Sequence, residues 1–287
     1  MASPEKVAQF WDEGYTILEN FLSEEECDAL KAECHDVIDK MDPKEHHTVF
    51  SCTGHEQLKE DYFLTSGDKV RFFFEKGAFD EKGELVVDKQ KSLNKMGHAL
   101  HALCPTFRKV TFSEKMREVV KNIGYEDPVI CQSMYIFKNP GIGGIVTAHQ
   151  DSWFLNTKPL KLMGVWIALE DATLENGCLW FIPGSHKEGI TDNYRMIRNP
   201  DKDGPPLKFT GAEPKYDDSK FIPGPVKKGT AVLIHGEVVH KSNPNNSDKS
   251  REIYTFHIYD QKGTEYSSIN WLQPSEEMPF PHLYTFS

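Results

Sequence analysis

Hydrophobic and polar positions change their rhythm near residue 125 of this chain. Before that point apolar side chains recur mostly every three or four positions, the spacing of one helix face. Ser3-Pro4 supplies a cap and a first-turn proline for an opening helix. Residues 14–18 read as a short strand, and Ser23 with Glu26 three positions on forms a capping box. The helix that follows carries Cys27, Leu30, Cys34, Val37, Ile38 and Met41 on one face. Residues 43–61 are polar, hold Pro43, His46, His47, Gly54 and His55, and are expected to form a loop in which His46-His47 is a solvated pair. Residues 61–74 and 75–87 read as strands, with turns at Gly67-Asp68 and Gly83. A helix is expected to begin at Ser92 and to take in Lys95, Met96 and His101; another covers 113–123 and stops at Gly124.

Beyond residue 125 the apolar runs shorten and glycine and proline break them. Strands are expected at 129–137, at the approach to His149 after the glycine-rich turn from Pro140 to Gly144, and at 162–169, 178–182, 230–235 and 252–259. Many short strands joined by such turns make a sandwich or barrel. Between them, 184–225 is a long polar insertion, and in a compact domain such a segment serves better as a lid than as filler. The expected architecture is a single domain over 1–287. Residues 1–125 form mainly helical support with some strands, and 126–287 form a double-stranded β-helix, a cupin-like jelly roll buttressed by the N-terminal helices.

Composition narrows the function classes. Hydrophobic residues make up 38% and charged ones 27% of 287, an ordinary globular balance. The net charge of −11 argues against nonspecific binding to nucleic acid or an anionic membrane. There is no apolar run of 18 residues, no basic-then-apolar leader and no Ser-Lys-Leu ending, so a cytoplasmic, non-membrane protein is expected. The six cysteines show neither a CxxC pair nor a compact framework and are expected to be free thiols, with no zinc site among them.

The candidate chemistry lies in Thr147-Ala148-His149-Gln150-Asp151. A His and an Asp two positions apart on a strand point to one side of the sheet. With one distant His they can occupy one face of an octahedral metal, the two-His, one-carboxylate set of non-haem Fe(II) oxygenases. The opposite face then stays open to a bidentate cosubstrate and O₂. Spacing leaves the distant His open between His235, at the end of its strand, and His240, after a short turn. His257, inside the last strand, reads as a core or outer-shell histidine, and His186 as a loop residue. Arg251, at the start of the next strand, is suited to a bidentate grip on a carboxylate.

Longer blocks carry a resemblance. These are Gly67-Asp68-Lys69-Val70-Arg71-Phe72-Phe73-Phe74-Glu75-Lys76-Gly77, Asn94-Lys95-Met96-Gly97-His98-Ala99-Leu100-His101, Gln132-Ser133-Met134-Tyr135-Ile136-Phe137-Lys138, the run from Glu170 to His186, and His235-Gly236-Glu237-Val238-Val239-His240-Lys241-Ser242. From about Gly14 to Phe286 the chain resembles the phytanoyl-CoA dioxygenase family. That resemblance implies iron ligands at His149, Asp151 and His240, because the family's arginine lies eleven residues past the last ligand, as Arg251 does here. It also implies 2-oxoglutarate against Lys95, Met134, Trp166, Ser242 and Arg251, with Gln150 touching it through its backbone. The implied reaction consumes 2-oxoglutarate and O₂ at Fe(II), with ascorbate as a candidate reductant, and hydroxylates a small-molecule substrate. A monomer is expected. The acyl-CoA substrate of one family member is not carried over: Lys69, Arg71 and Lys76 could serve a CoA head but equally fit a solvated hairpin. A non-catalytic 2-oxoglutarate sensor and a jelly-roll enzyme of a different metal are the two competing classes.

Overall fold

The computed structural model describes residues 2–46, 48–53 and 61–286. His47, Gly54 and His55 lie outside the described residues. In chain order the main elements are α1 (Pro4–Glu13), β1 (Tyr15–Leu18), α2 (Glu24–Lys40), α3 (Asp61–Leu64), β2 (Val70–Phe74), β3 (Leu93–His98), α4 (Leu100–Leu103), α5 (Pro105–Thr111) and α6 (Glu114–Ile123). Then follow β4 (Pro128–Ile136), β5 (Val146–His149), β6 (Thr157–Lys158), β7 (Leu162–Ala168), β8 (Leu179–Phe181), β9 (Arg195–Arg198) and β10 (Leu207–Thr210). The chain ends with β11 (Ile222–Gly224), β12 (Ala231–His235), β13 (His240–Ser242), β14 (Ile253–Asp260) and β15 (Glu265–Tyr266).

Two antiparallel sheets make the jelly roll. The larger has the order β1-β12-β7-β14-β4-β3-β2, and the smaller β11-β8-β13-β5. Alternation along the strands of the large sheet sends residues to two different cores. Met163, Val165 and Ile167 of β7, with Tyr254 and Phe256 of β14, face outward and pack with Phe10, Leu30, Cys34, Phe107, Met116 and Val120 of the helices. Trp166 and Ala168 point the other way and meet Leu179 and Phe181 of the small sheet. All seven residues of β7 are therefore buried. Strands covered on both faces read as continuous apolar runs rather than alternating ones.

The buttress follows its local signals. Ser3 accepts from the Lys6 amide, and Gly14 closes α1 at φ +85°, where its N–H meets the Phe10 carbonyl. The Ser23–Glu26 capping box is present in both directions. Asp61–Leu64 is a short helix, so the expected strand over 61–74 shrinks to β2. Residues 75–87 form turns joined by a single bridge between Phe79 and Leu85 instead of a strand. The expected helix from Ser92 is overturned: Leu93–His98 is a strand between β2 and β4. Lys95 and Met96 favour a helix locally, but pairing on both edges and burial of Leu93 and residues 95–98 outweigh that preference.

The 184–225 insertion is ordered. It holds the β9–β10 hairpin and ends in β11, which pairs with β8 and so belongs to the small sheet. All six cysteines are free thiols. Among the described residues no helix is long and apolar enough to cross a membrane.

Candidate metal centre and its anion pocket

β5 and β13 are neighbours in the small sheet, and their register sets His149 directly opposite His240. The two imidazole rings are 4.2 Å apart between centroids. Asp151 is not on the strand with His149; it opens a 3₁₀ turn, Asp151–Trp153, just past the strand end. Its carboxylate still reaches the same side, with Oδ1 at 3.5 Å from His149 Nε2 and 3.7 Å from His240 Nε2. One donor atom from each residue lies within 4.8 Å of the others. His235 sits elsewhere, its ring 4.8 Å from that of His186 and its Nδ1 2.9 Å from Glu237. His240, and not His235, thus lies with His149 and Asp151.

Each donor is oriented from behind. His149 Nδ1 lies 2.8 Å from the Thr147 carbonyl and His240 Nδ1 lies 3.1 Å from that of Val238. A carbonyl can only accept, so both rings carry their proton on Nδ1 and turn the Nε2 lone pair to the centre. Asp151 Oδ2 lies 3.1 Å from His257 Nε2, and His257 Nδ1 lies 3.2 Å from Gln132 Nε2. Burial pushes the Asp151 carboxyl up, but the rings of His257, His240 and His149 around it hold it well below the usual carboxylate range. Burial, reinforced by the neighbouring His149, brings His240 down to about 4, so it is a neutral donor near neutral pH. Two imidazoles with Nδ1 tied back to a carbonyl, and an ionised carboxylate, suit a divalent iron.

The inner face of the large sheet lies opposite. Register stacks three rows there: Lys95, Ile136, Ile253 and Ala168; then Met134, Thr255 and Trp166; then Gln132, His257 and Gly164. A Cβ on Gly164 would come within 2.9 Å of Asp151 Oδ2, so this position has to be glycine for the carboxylate to sit where it does. Lys95 and Met134 line a cavity of about 180 Å³ that also reaches His149, Asp151 and His257. Lys95 Nζ rests over the Phe50 ring at 3.3 Å and lies 3.9 Å from Met134 Sδ. Burial lowers its pKa to about 8, offset in part by Cys52 and Glu75.

Arg251 is 2% exposed, and its Nε has no hydrogen-bond partner. Its guanidinium lies 5.6 Å from the Trp166 ring. Burial pushes it down to about 10, with Cys178 and Glu170 opposing, so it stays charged at neutral pH. Among the described residues no carboxylate forms an ion pair with Arg251 or Lys95. Ser242 is buried on β13 and donates to the Gly177 carbonyl at 2.9 Å. The Gln150 side chain donates to the Gly189 and Glu237 carbonyls and accepts from Trp153 Nε1 and the Thr191 amide, tying the insertion to the turn after β5. Lys69 and Arg71 are engaged locally, with Asp68 and with Thr65 and Tyr62, away from the cavity lining.

Sequence reasoning overlooked Gln132, Gly164 and Thr255, although their parity with Met134, Trp166 and His257 along three strands would have found them. It also overlooked Lys138. This lysine is buried, donates to the Gly144 and Asn243 carbonyls at 2.8 Å, and is pushed by burial and by Arg251 down to about 7, against the pull of Glu75.

Solved structures share this plan. The non-haem α-ketoglutarate-dependent carbocyclase SnoK from nogalamycin biosynthesis superposes with a TM-score of 0.64 at 19% identity, over 96% of this chain and 95% of that one. That likeness is one of fold, a jelly roll, and the class follows from the family that matches: a dioxygenase. The family described as Phytanoyl-CoA dioxygenase (PhyH) matches residues 10–253. Relatives named phytanoyl-CoA dioxygenase domain-containing protein 1 are 60% identical in Danio rerio, over 97% of both chains, and 53% identical in Bos taurus, over 99% of both. The chain belongs to the phytanoyl-CoA dioxygenase family.

Proposed function

We propose that this enzyme hydroxylates a small organic substrate, with His149, Asp151 and His240 holding Fe(II) and Arg251 holding the remote carboxylate of 2-oxoglutarate. The observation that carries this reading is an oriented three-donor cluster on a cavity that Lys95 also lines, with Lys95 and Arg251 both buried and, among the described residues, without a carboxylate partner. An unpaired buried charge costs several kcal/mol, which a bound anion offsets. A keto-diacid supplies one end that chelates metal and another that answers a guanidinium in bidentate fashion. Lys95, Met134, Trp166 and Ser242 complete the cosubstrate pocket in this reading, and Gln150 holds the turn between the ligands.

With iron bound, 2-oxoglutarate and O₂ supply the oxidising power, yielding succinate and CO₂ while the substrate gains an oxygen atom; ascorbate is a suitable reductant. The chain's own contribution is geometric and electrostatic. Thr147 and Val238 fix the imidazole tautomers, His257 and Gly164 fix the carboxylate, and the apolar cavity excludes water from the reacting carbon. Purified protein supplied with Fe(II), 2-oxoglutarate and O₂ is expected to release succinate. The variant Asp151→Ala is expected to lose both bound iron and succinate release. Iron content and turnover equal to the parent's in that variant would remove the ligand assignment.

A further inference from the structure

The cavity presents a polar group that the cosubstrate reading leaves unused. His98, at the end of β3, is 1% exposed and lines the cavity beside the metal cluster. Its ring sits among aromatic walls, 5.0 Å from Trp271, 5.5 Å from Phe63 and 5.6 Å from Phe73 between centroids. The local hydrogen bonds fix its tautomer. Ser66 Oγ lies 2.6 Å from the Phe63 carbonyl, which can only accept, so the hydroxyl proton points there. Ser66 Oγ is also 2.8 Å from His98 Nδ1 and has only acceptor capacity left for it. His98 therefore carries its proton on Nδ1. Burial, followed by the charges of Lys95, His257 and Arg71, holds the ring well below its ordinary pKa, so there is no second proton. Nε2 is left as a bare lone pair with no partner among the described residues.

We infer that His98 Nε2 accepts a hydrogen bond from a hydroxyl or N–H group of the substrate, and that the substrate is an uncharged amphipathic molecule whose apolar body lies against Phe154, Tyr194, Phe209 and Trp271. An acceptor walled in by aromatic rings loses its water when the cavity fills, and only a donor restores the bond. Sites built this way reject analogues that lack the donor. A carboxylate head would set its own lone pairs against that of Nε2. The inference rests on the oxygenase reading only in calling the bound molecule a substrate.

The test uses the full chain without added iron and three probes of equal length: 1-octanol, 1-methoxyheptane and octanoate. Binding is followed by the emission of Trp153 and Trp271, both on the cavity wall. The alcohol is expected to bind about tenfold tighter than the ether, the yield of one hydrogen bond to a desolvated acceptor. His98→Phe should bring that ratio to about one, since it keeps the aromatic ring and removes the acceptor. Ser66→Ala leaves His98 in place but frees its Nδ1 proton to move to Nε2, so it should also erase the preference. A structural role for His98 predicts no such change in Ser66→Ala, which also serves if His98→Phe does not fold. Equal binding of alcohol and ether by the parent protein, or a preference that survives both substitutions, would overturn the inference. Tightest binding by octanoate would overturn it too and point to Lys95 as the head-group site. Succinate release by iron-loaded protein is scored separately, so its absence would count against the oxygenase reading and leave the binding result standing.

Discussion

The two sheets of the jelly roll treat their polar side chains in opposite ways. On the small sheet His149 and His240 are each tied down at Nδ1, and Asp151, just past its edge, is met by three histidines. On the large sheet Lys95 and Arg251, the latter just ahead of β14, are buried with no carboxylate partner, and His98 Nε2 has no donor, among the described residues. The difference separates groups that must not move from groups that wait for something. A metal ligand gains from being fixed in advance, because geometry then costs nothing at binding. A group meant for a diffusible ligand has to stay unsatisfied until the ligand arrives, and the fold carries that cost in its absence.

That contrast can be broken most easily at Arg251. Replacing it with Ala should weaken 2-oxoglutarate binding by about 100-fold, the worth of a bidentate charge-assisted pair, while iron binding changes little. Calorimetric titration of the iron-loaded protein measures both, and an unchanged affinity would end the anion-pocket reading. Gly164→Ala probes the opposite side of the comparison. Its Cβ, at 2.9 Å from Asp151 Oδ2 and 3.5 Å from His257 Nε2, should displace the carboxylate. Iron affinity should fall roughly 10- to 100-fold, the usual range for loss of an outer-shell contact. Equal iron affinity would mean that the donors tolerate more movement than their hydrogen bonds suggest.

A smaller effect is expected from pH. Lys95, brought down to about 8 by burial, is charged below that pH and neutral above it. An anion beside it should therefore bind more weakly as pH rises from 7 to 9, by about tenfold. Lys95→Met should flatten the profile, and a Lys95→Met profile as steep as the parent's would assign the titration to another group. The mildest change lies outside both sheets. Ser23→Ala removes one half of the α2 capping box and should cost about 1 kcal/mol, read as a small fall in the thermal midpoint. Neither ligand should bind differently; a change in iron or 2-oxoglutarate affinity would show that the helical buttress controls the site.

Legibility in the sequence followed the range of the forces involved. Capping residues, glycine stops and apolar runs act within a few positions, so α1, α2, α6 and the strands β4, β5, β7, β8, β12 and β14 could be read directly. Residues 93–98 could not, because their helix-favouring side chains are held as a strand by two neighbours distant in sequence. The same holds for 61–87, where a short helix and turns leave only β2 of two expected strands. At the site, the HxD spacing was visible, although Asp151 reaches the centre from a 3₁₀ turn rather than by strand alternation.

The residue types alone determined that a His, a nearby Asp and a later His and Arg were present in an order suited to one metal and one anion, since donor chemistry belongs to the side chain whatever the fold. Tertiary structure brings to His149 and Asp151 the same His240 that the family resemblance had pointed to, and it alone decided that Gly164 clears space for a carboxylate thirteen positions earlier and that His98 carries its proton on the nitrogen facing Ser66. Each of those outcomes depends on which strands lie side by side. Strand pairing is the sum of many weak contacts over the whole sheet, and no local stretch of chain encodes it.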